Sequence, residues 1–436
     1  MDVTQNRMEL WGGVECTINR VRDQYFNQLE LSGHWHREKD LERFAELGLR
    51  TLRFPILWES VALKSLDEID WSWPDRRLSK LKALGIRPIV GLLHHGSGPR
   101  YTSLLDPEFP EKLARFAGMI ARRYPWIDMY TPVNEPLTTA RFSGLYGHWY
   151  PHARDNAVFA RTMLNQCRAI VFAMGAIRSI NPGALLIQTE DLGRTFSTRA
   201  MRYQADFDNE RRWLTWDLLL GRVKPGCRMW DWLSWVGVPA VDLHFFAEPR
   251  CRIDVLGINH YVTSDRYLDE NVDMYPAELR GHNDRQVYAD DAAVRSRSMV
   301  TGGVRTAIAE AHNRYRLPIA LTEVHLGCSV DEQMRWFYEA WQAAEIMRER
   351  GVAVWAVTAW ALLGSFNWNS LVTRDGGYYE SGAFELRHGH PHSTLLADML
   401  SALARDNSFC DAVLQSKGWW RKRSRLRHRI KDDLAA

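Results

Sequence analysis

Eight short runs of apolar, β-branched and aromatic residues recur along the chain, and helical patterns separate most of them. The runs lie at Leu10–Val14, Thr51–Trp58, Arg87–His94, Met129–Asn134, Ala184–Thr189, Val255–Tyr261, Pro318–Thr322 and Val352–Trp360. Their apolar residues are nearly continuous rather than alternating, which is typical of parallel strands buried on both faces. Strand–helix alternation repeated eight times predicts an α/β protein built as a single (β/α)8 TIM barrel.

The segments between the runs agree with this architecture. Helical patterns predict helices at Arg37–Leu47, Pro107–Tyr124, Asn156–Ile180, Val300–Tyr315 and Asp331–Arg350. Gly48, Gly85 and Gly351 each follow a helical stretch and precede a run, a position that favours glycine. The longest gaps, between the fifth, sixth and seventh runs, predict long loops over the C-terminal face. No linker divides the chain, so we predict one barrel over residues 1–410 and a basic C-terminal tail over 411–436.

The formal net charge is only +3, but the basic residues are unevenly placed. Eight Lys and Arg side chains lie between Lys417 and Lys431, beside Trp419 and Trp420. Such a tail can make a weak contact with an anionic surface, or it can be a solvated terminus. We find no basic stripe elsewhere, so we expect no nucleic-acid partner. The sequence leaves the oligomeric state open.

The N-terminal residues contain no apolar run of signal-peptide length, and no stretch approaches the roughly 18 apolar residues of a membrane span. We therefore expect a cytoplasmic protein. The six cysteines are scattered, without a Cys-x-x-Cys pair or a histidine cluster at zinc spacing. This pattern predicts reduced thiols and no metal site.

Two glutamates each end one of the apolar runs or follow it directly. Glu135 comes after Asn134 at the end of the fourth run, and Glu323 follows the seventh. The carboxyl ends of barrel strands meet at one face, so these two side chains are expected to face each other. Cleavage of a glycosidic bond requires two such carboxylates. One acts as an acid with a raised pKa, and the other stays ionised to attack the sugar.

Other polar residues in the runs fit this interpretation. An arginine inside a buried strand is costly unless a carboxylate pairs with it, so Arg53 is a candidate partner of Glu323. Tyr261, which ends the sixth run, is a second candidate. Asn134 is placed to hold a sugar 2-hydroxyl. His94 closes the third run, where it either donates to a sugar hydroxyl or satisfies a structural contact.

Taken in order, these residues resemble glycoside hydrolase family 1, the β-glucosidase-like retaining enzymes. The resemblance extends over roughly residues 10–387 and consists of Leu10-Trp11-Gly12, Arg53-Phe54-Pro55-Ile56-Leu57-Trp58, His94, Asn134-Glu135-Pro136, Asn259-His260-Tyr261, Thr322-Glu323 and Trp360-Ala361-Leu362-Leu363-Gly364-Ser365-Phe366-Asn367-Trp368. It implies a retaining mechanism without a cofactor, in which Glu135 is the acid and base and Glu323 is the nucleophile. It further implies that Arg53 and Tyr261 position Glu323. The substrate-binding residues it implies are Asn19, His94, Asn134, Asn259, Trp360, Asn367 and Trp368.

The departures from the family pattern fall in the sugar pocket. Asn19 stands where the family has glutamine, and Asn367 stands where it has the glutamate of Phe-Glu-Trp. A site that hydrogen-bonds particular hydroxyls discriminates strongly, so these changes predict a glycone other than plain glucose. A deoxy, substituted or anionic sugar remains open, and Arg141, His95 or His325 could meet an anionic one.

Two further sets of carboxylates occupy run ends. Glu15 either points into the pocket or pairs with an arginine, whereas Glu190-Asp191 is typical of a loop or helix-cap pair.

The sequence therefore predicts a retaining β-glycosidase that hydrolyses a β-linked glycoside, a carbohydrate substrate, through a covalent glycosyl-enzyme. Two alternatives share its motifs: a transglycosidase in glycan assembly and a non-catalytic sugar-binding barrel. A glycine-rich phosphate loop and a Gly-x-Ser-x-Gly elbow are both absent from the sequence, which disfavours nucleotide-dependent enzymes and serine hydrolases.

Overall fold

Eight parallel strands form a closed barrel in the computed structural model, which describes residues 7–296, 301–406 and 408–426. The barrel strands are β1 (Glu9–Gly13), β2 (Thr51–Pro55), β3 (Arg87–His94), β4 (Met129–Asn134), β5 (Leu185–Asp191), β6 (Val255–Asn259), β7 (Ile319–Val324) and β8 (Val354–Ala359). Each strand pairs in parallel with the next, and β1 closes the ring by pairing with both β2 and β8. The predicted (β/α)8 barrel is confirmed.

The predicted runs correspond one to one with these strands, but several bounds differ. β3 and β4 have the bounds that the sequence predicts. The second run was predicted to continue to Trp58, whereas β2 ends at Pro55. Proline has no N–H to donate to a neighbouring strand, and Trp58 instead begins a short helix, Trp58–Val61. Tyr261 likewise lies beyond the end of β6, in the loop that follows Asn259.

Eight helices follow the strands in chain order and form the outer layer of the fold. They are α1 (Asp40–Glu46), α2 (Ser72–Ala83), α3 (Phe109–Arg123), α4 (Asn156–Arg178), α5 (Leu214–Leu219), α6 (Gly303–Tyr315), α7 (Val330–Glu349) and α8 (Leu395–Asp406). The helix predicted from Val300 begins at Gly303, and Val300 itself lies outside the described residues. Gly48, Gly85 and Gly351 all have positive φ, as expected after a helix C-terminus.

Shorter elements fill the connections. The short α-helices are Gln28–Leu31, Trp58–Val61, Pro136–Ala140, Arg202–Arg211, Arg228–Trp235 and Ala240–Phe245, and Arg141–Leu145 is a π-helix. The 3-10 turns are Val272–Met274, Ala277–Leu279, Ala293–Arg295, Trp368–Ser370, Ala412–Gln415, Trp419–Arg421 and Arg423–Leu426.

Additional strands lie outside the barrel. Four of them form one sheet, in the order Arg280–His282, Val287–Ala292, Arg266–Asp269 and Thr195–Ser197. Three pairs complete the set: Ile18–Val21 with Gln24–Asn27, Ser365–Phe366 with Tyr379–Glu380, and Phe384–Arg387 with His390–Ser393. The four-stranded sheet is built from segments that follow β5 and β6, so it belongs to the long connections that leave the C-terminal ends of those strands.

The interior of the barrel changes character along its axis. A buried apolar cluster takes residues from seven of the eight strands: Trp11, Ile89, Met129, Ile187, Val255, Ala320 and Ala356. Each of these residues lies closer to the beginning of its strand than the polar residues that end the strands, such as His94, Asn134 and Asn259. The apolar layer therefore closes the barrel from below and leaves polar groups at the C-terminal mouth.

The described part of the basic C-terminal segment contacts the barrel. Trp420 is 5% exposed, its ring centroid lies 5.5 Å from that of Trp336 on α7, and its indole N–H donates to Glu339. Arg421 also pairs with Glu339. These contacts attach the segment to α7. The predicted contact with an anionic surface stays a prediction, and residues 427–436 lie outside the described part of the chain.

Three further properties of the described residues concern membrane-spanning helices, metal sites and thiols. None of their helices combines the length and the apolar character needed to cross a membrane. Within the same ranges, no group of three or more His, Cys, Asp or Glu side chains is arranged to hold a metal ion. All six cysteines are free thiols, as the sequence predicts.

A buried carboxylate supports the loop that follows β3. Glu59 Oε1 accepts a hydrogen bond from the Gly98 N–H at 2.9 Å, and its other oxygen has no partner among the described residues. A Cβ atom at Gly96 would lie 1.9 Å from Glu59 Oε1 and 3.0 Å from the Ile18 carbonyl oxygen. Only glycine fits between these groups, so the close approach fixes the path of the loop.

We expect Trp420→Ala to lower the free energy of unfolding by about 3–5 kcal/mol, because the substitution leaves a cavity against α7. Urea titration followed by circular dichroism measures the change. Trp235, which is 71% exposed, provides the matched control, and Trp235→Ala should change stability by no more than about 0.5 kcal/mol. Equal effects of the two substitutions would show that the C-terminal segment does not contribute to the stability of the barrel.

We expect Glu59 to give stability a distinct pH dependence. Burial raises the pKa of its carboxyl from 4.5 to about 8. Between these values the folded protein holds a proton that the unfolded chain releases, so the free energy of unfolding falls as pH rises, by at most about 1.4 kcal/mol per pH unit. Glu59→Gln removes this contribution while keeping an acceptor for Gly98.

The measurement is urea unfolding of the wild type and Glu59→Gln at about pH 5, 6.5, 8 and 9. The stability of the variant relative to the wild type should increase across this window and level off above about pH 8. Glu111→Gln, an exposed glutamate on α3, is the control and should show no such trend. A difference that does not vary with pH would contradict the assignment.

Candidate active site

The two glutamates predicted from the sequence lie at the C-terminal mouth of the barrel. Glu323 belongs to β7, is 2% exposed and accepts hydrogen bonds on both carboxylate oxygens. Arg53 Nη1 donates to its Oε1 at 2.7 Å, and the Tyr261 hydroxyl donates to its Oε2. Both predicted partners of Glu323 are therefore in contact with it. A carboxylate that receives a guanidinium and a hydroxyl is stabilised in its ionised form.

Arg53 extends the network to the fourth strand. Its Nη2 donates to Asn134 Oδ1 at 2.7 Å, and its Nη1 also donates to the Thr322 carbonyl oxygen at 2.8 Å. Asn134 Oδ1 accepts a second hydrogen bond, from the Thr189 hydroxyl. With its oxygen engaged twice, Asn134 presents its amide nitrogen as a donor, and this nitrogen lies 3.3 Å from His94 Nε2 and 3.5 Å from His95 Nε2.

Glu135 directly follows β4 and is 4% exposed. Its φ of 45° is left-handed, an uncommon conformation for a residue with a side chain. The Asn259 amide nitrogen donates to its Oε1, and Asn259 Oδ1 accepts from the Thr322 hydroxyl at 2.6 Å. Asn259 was predicted to bind substrate. The structure places it between the ends of the strands that carry the two glutamates.

The two carboxyls differ in their electrostatic surroundings. Burial, followed by the charge of Glu323, raises the pKa of Glu135 well above its usual value. Burial also raises the pKa of Glu323, but Arg53 and Tyr261 act in the opposite direction. Glu135 therefore retains a proton more readily than Glu323. Two carboxyls with different proton affinities can divide the functions of acid and nucleophile.

Glu190 supports the segment that carries Glu135. Its carboxylate accepts from the backbone N–H groups of Leu137 and Thr138 and from the Thr215 hydroxyl. The two backbone donors belong to the first turn of Pro136–Ala140, where a negative charge is favourable. The helix-cap interpretation thus describes Glu190 correctly, although its position is inside β5 rather than in a loop. Burial raises its pKa to about 7.

Glu15 is a further carboxylate at the mouth. It accepts from the Thr17 backbone N–H at 2.9 Å and from the Trp360 indole N–H at 3.3 Å. Burial raises its pKa, and its charge in turn raises the pKa of Glu323. The direct donors are a backbone amide and an indole, so of the two alternatives left by the sequence the structure favours a side chain directed toward the site.

Trp360 and His94 form one wall. Their rings stack at a centroid distance of 5.3 Å and an interplanar angle of 8°. The Arg53 guanidinium lies 4.6 Å from the centre of the Trp360 ring. His94 Nε2 lies 3.3 Å from the Asn134 amide nitrogen. Both predicted substrate-binding residues are therefore joined to the network around Arg53.

Asn19 and Asn367 were predicted to bind the glycone, and the structure places both against one loop, residues 367–378. Asn19 Nδ2 donates to the Val372 carbonyl oxygen. Asn367 Oδ1 accepts from the N–H groups of Gly376 and Tyr378, and its Nδ2 donates to Asp375. The amide of Asn367 is thus bonded at both ends within the loop. Asn19 retains a buried oxygen without a partner among the described residues.

Trp368 packs edge-on against His95. The two ring centroids are 5.7 Å apart, and Trp149 contacts both rings. The indole nitrogen of Trp368 is buried and has no acceptor in the part of the chain that the structure describes. An indole N–H in this state is available to a polar group of a ligand.

The structure brings most of the predicted site residues into one network and separates two from it. Asn19 and Asn367 are bonded to the 367–378 loop instead. Sequence reasoning missed the contact of His95 with Glu135 and the attachment of Glu190 to the helix after Glu135. The pair His94-His95 at a strand end was the available signal for the first, and the strand-end carboxylate was the signal for the second.

No family profile matches the sequence. Solved structures do match nearly the whole chain. The β-glucosidase from Thermotoga maritima in complex with cyclophellitol superposes with a TM-score of 0.71 at 17% identity, over 92% of this chain and 98% of that chain. The family 1 β-glucosidase from Thermotoga maritima and its complex with deoxynojirimycin each give 0.72 at 16% identity over the same shares. The chain therefore has the fold of the family 1 β-glucosidases in a strongly divergent sequence.

Proposed function

We propose that the protein is a retaining β-glycosidase that acts through a covalent glycosyl-enzyme. The observation that carries this proposal is the contrast between the two buried glutamates. Glu323 receives hydrogen bonds from Arg53 and Tyr261, whereas the pKa of Glu135 is raised well above its usual value. An ionised nucleophile opposite a protonated acid is the pair that this reaction requires. The similarity of the fold to family 1 β-glucosidases supports the same assignment.

In the first step, the proton of Glu135 passes to the glycosidic oxygen as the bond between that oxygen and the anomeric carbon breaks. A carboxylate oxygen of Glu323 attacks the anomeric carbon from the opposite face and forms the glycosyl-enzyme. Arg53 and Tyr261 hold the nucleophile in place. The amide nitrogen of Asn134 is assigned to the 2-hydroxyl of the sugar.

In the second step, Glu135 is ionised and takes a proton from a water molecule. The resulting hydroxide attacks the anomeric carbon, the bond to Glu323 breaks, and the product keeps its original configuration. This double displacement requires the two carboxyl groups to lie about 5–5.5 Å apart, and we keep that spacing as a prediction.

The residues around the sugar site support a glycone other than plain glucose. Asn367 is bonded at both ends of its amide, whereas Asn19 donates to Val372 and keeps only its oxygen for a ligand, so neither amide can grip a hydroxyl through both of its ends. The buried polar atoms without partners among the described residues include the Trp368 indole nitrogen and the Asn19 oxygen. We assign these two groups to hydroxyls of the bound sugar.

The charges at the mouth disfavour an anionic glycone. The sequence offered three cationic candidates, of which one is neutral and the other two interact with carboxylates in the structure. Burial, together with Arg53, lowers the pKa of His95 to about 3, so its ring is neutral at ordinary pH. His325 lies 3.2 Å from Glu380, and Arg141 interacts with Glu190 and Asp191. A neutral glycone, such as a deoxy sugar, fits this site better than an acid.

Two alternatives use the same residues. A transglycosidase would transfer the glycosyl group from Glu323 to a sugar hydroxyl rather than to water. A non-catalytic sugar-binding barrel would bind the sugar without turnover. The pairing of Glu323 with Arg53 and Tyr261 favours catalysis, since binding alone does not require a nucleophile set against an acid. Added acceptor alcohol separates hydrolysis from transfer through the products.

We expect Glu323→Ala to abolish hydrolysis of every aryl β-glycoside that the wild type cleaves, because no glycosyl-enzyme can form. Glu135→Ala should slow substrates whose leaving groups have high pKa by about 10²–10⁴-fold and affect activated aryl leaving groups far less. The measurement is kcat/KM on a panel of aryl β-glycosides, with NMR identification of the anomeric configuration of the product.

Glu111→Ala, at an exposed position on α3, is the control for loss of a carboxylate and should keep full activity. Circular dichroism checks that all variants are folded. Retained hydrolysis in Glu323→Ala, or inverted configuration in the product, would overturn the retaining mechanism. Absence of turnover across the panel, together with binding of sugars, would favour the sugar-binding barrel.

We expect an aryl β-uronide to have a kcat/KM at least about 100-fold below that of a neutral glycoside with the same aglycone, because like charges at a desolvated contact cost several kcal/mol. Glu15→Gln removes one of the negative charges and should reduce the ratio of the neutral kcat/KM to the uronide kcat/KM by about 10-fold or more. Uronide hydrolysis that equals or exceeds that of the neutral analogue would contradict the assignment of a neutral glycone.

A further inference from the structure

His95 is placed rigidly beside the proposed acid. It follows β3, is 5% exposed and has a left-handed φ of 57°. Its ring centroid lies 5.2 Å from that of Trp149, 5.7 Å from that of Trp368 and 4.9 Å from that of His94. Three aromatic neighbours leave the imidazole little freedom to turn, so the direction of each ring nitrogen is determined by the fold.

The hydrogen bonds around His95 determine its tautomer. Asn134 Oδ1 accepts from both Arg53 and Thr189, so the nitrogen of that amide is a donor. This nitrogen lies 3.5 Å from His95 Nε2, which therefore presents its lone pair. The proton of the neutral imidazole is then on Nδ1, which lies 3.0 Å from the Thr139 hydroxyl oxygen and donates to it.

The same acceptor nitrogen of His95 also lies near the carboxyl of Glu135. The distance from His95 Nε2 to Glu135 Oε2 is 3.7 Å. Asn259 donates to Oε1, so a proton on Glu135 belongs on Oε2, the oxygen that faces the imidazole. Catalytic hydrogen bonds are often long before substrate binds and shorten in the complex. A protonated Glu135 can donate to this lone pair, whereas an ionised Glu135 would be repelled by it.

The other groups that face Glu135 act in the same direction. Glu323 on β7 and Glu190 and Asp191 on β5 are carboxylates, and each raises the pKa of Glu135, as burial does. Asn259 is the donor that opposes them. Glu135 also interacts with Tyr261. Among these groups His95 is distinct, because it is neutral and presents one acceptor nitrogen, which lies 3.5 Å from the Asn134 amide nitrogen and 3.7 Å from Glu135 Oε2.

We propose that His95 is a positioning residue that holds the proton on Oε2 of Glu135 and orients it for transfer. The catalytic meaning of this inference rests on the proposed function, whereas the contact between the two side chains does not. The proton leaves Oε2 for the glycosidic oxygen as the glycosidic bond breaks. The ionised carboxylate then faces the lone pair of Nε2, which favours recovery of a proton from the attacking water. His95 itself neither gains nor loses a proton.

The test is a direct titration of Glu135, followed through its carboxyl signal by infrared difference spectroscopy or by NMR of ¹³C-labelled glutamate. Loss of the signal in Glu135→Gln assigns it. His95→Phe keeps a ring but removes the lone pair, and the pKa of Glu135 should fall by about 0.4–1 unit, the equivalent of one hydrogen bond. His95→Gln, whose side-chain oxygen is an acceptor, should recover most of the shift.

Two further variants keep the test decisive. Thr139→Val removes the acceptor of the Nδ1 proton with little change in volume and should lower the pKa of Glu135 in the same direction. His148→Phe replaces a histidine that packs on Phe142 and Tyr146, and it should leave the pKa of Glu135 unchanged. If His95→Phe does not fold, Thr139→Val decides the question.

An unchanged or raised pKa of Glu135 in folded His95→Phe, or in Thr139→Val where His95→Phe does not fold, would overturn the proposal. The titration needs no substrate, so its outcome is independent of the proposed function. If the wild type hydrolyses glycosides, the basic limb of its kcat/KM profile should move in His95→Phe by the same amount as the titration. If the pKa of Glu135 responds to the His95 substitutions but the protein shows no turnover, the contact between the two side chains stands and only the glycosidase assignment fails.

Discussion

The buried ion pair between Arg53 and Glu323 is the interaction on which the rest of the mouth depends. Both side chains are almost fully removed from water, and burial of either charge alone costs several kcal/mol. The guanidinium offsets this cost by also donating to Asn134 and to the Thr322 carbonyl oxygen. Arg53 therefore orients groups on β4 and β7. Through the Asn134 amide it also helps to orient the rings of His94 and His95.

Much of this arrangement could be predicted from the sequence, because it follows from the strands. Parallel strands bring their carboxyl ends together, so Glu135 and Glu323 were expected to meet. Arg53 was predicted because an arginine in a buried run requires a carboxylate. The bounds of β3 and β4 were predicted since their apolar runs are uninterrupted, whereas Pro55 ended β2 early. Such features depend on local pattern and on the symmetry of the barrel.

The remainder depends on loop conformation, which the spacing of residues does not determine. Asn19 and Asn367 were predicted to bind the sugar, but a loop fold brings carbonyl and amide groups of residues 367–378 against them. The contact between His95 and Glu135 requires a left-handed backbone at both residues. Glu190 reaches helix Pro136–Ala140 because β5 extends farther than its apolar run. Each of these contacts joins segments far apart in the chain.

The hydrogen bonds of Asn367 within its loop limit how single substitutions can change this part of the protein. Its side-chain amide makes three hydrogen bonds within the segment 367–378, and the Asn19 amide donates to the carbonyl oxygen of Val372 in the same segment. Residues 367–378 and Asn19 thus form one module with interdependent parts. In the glycosidase proposed above, exchange of the whole loop would change the glycone more readily than successive single replacements, since each single replacement would leave buried amides unpaired.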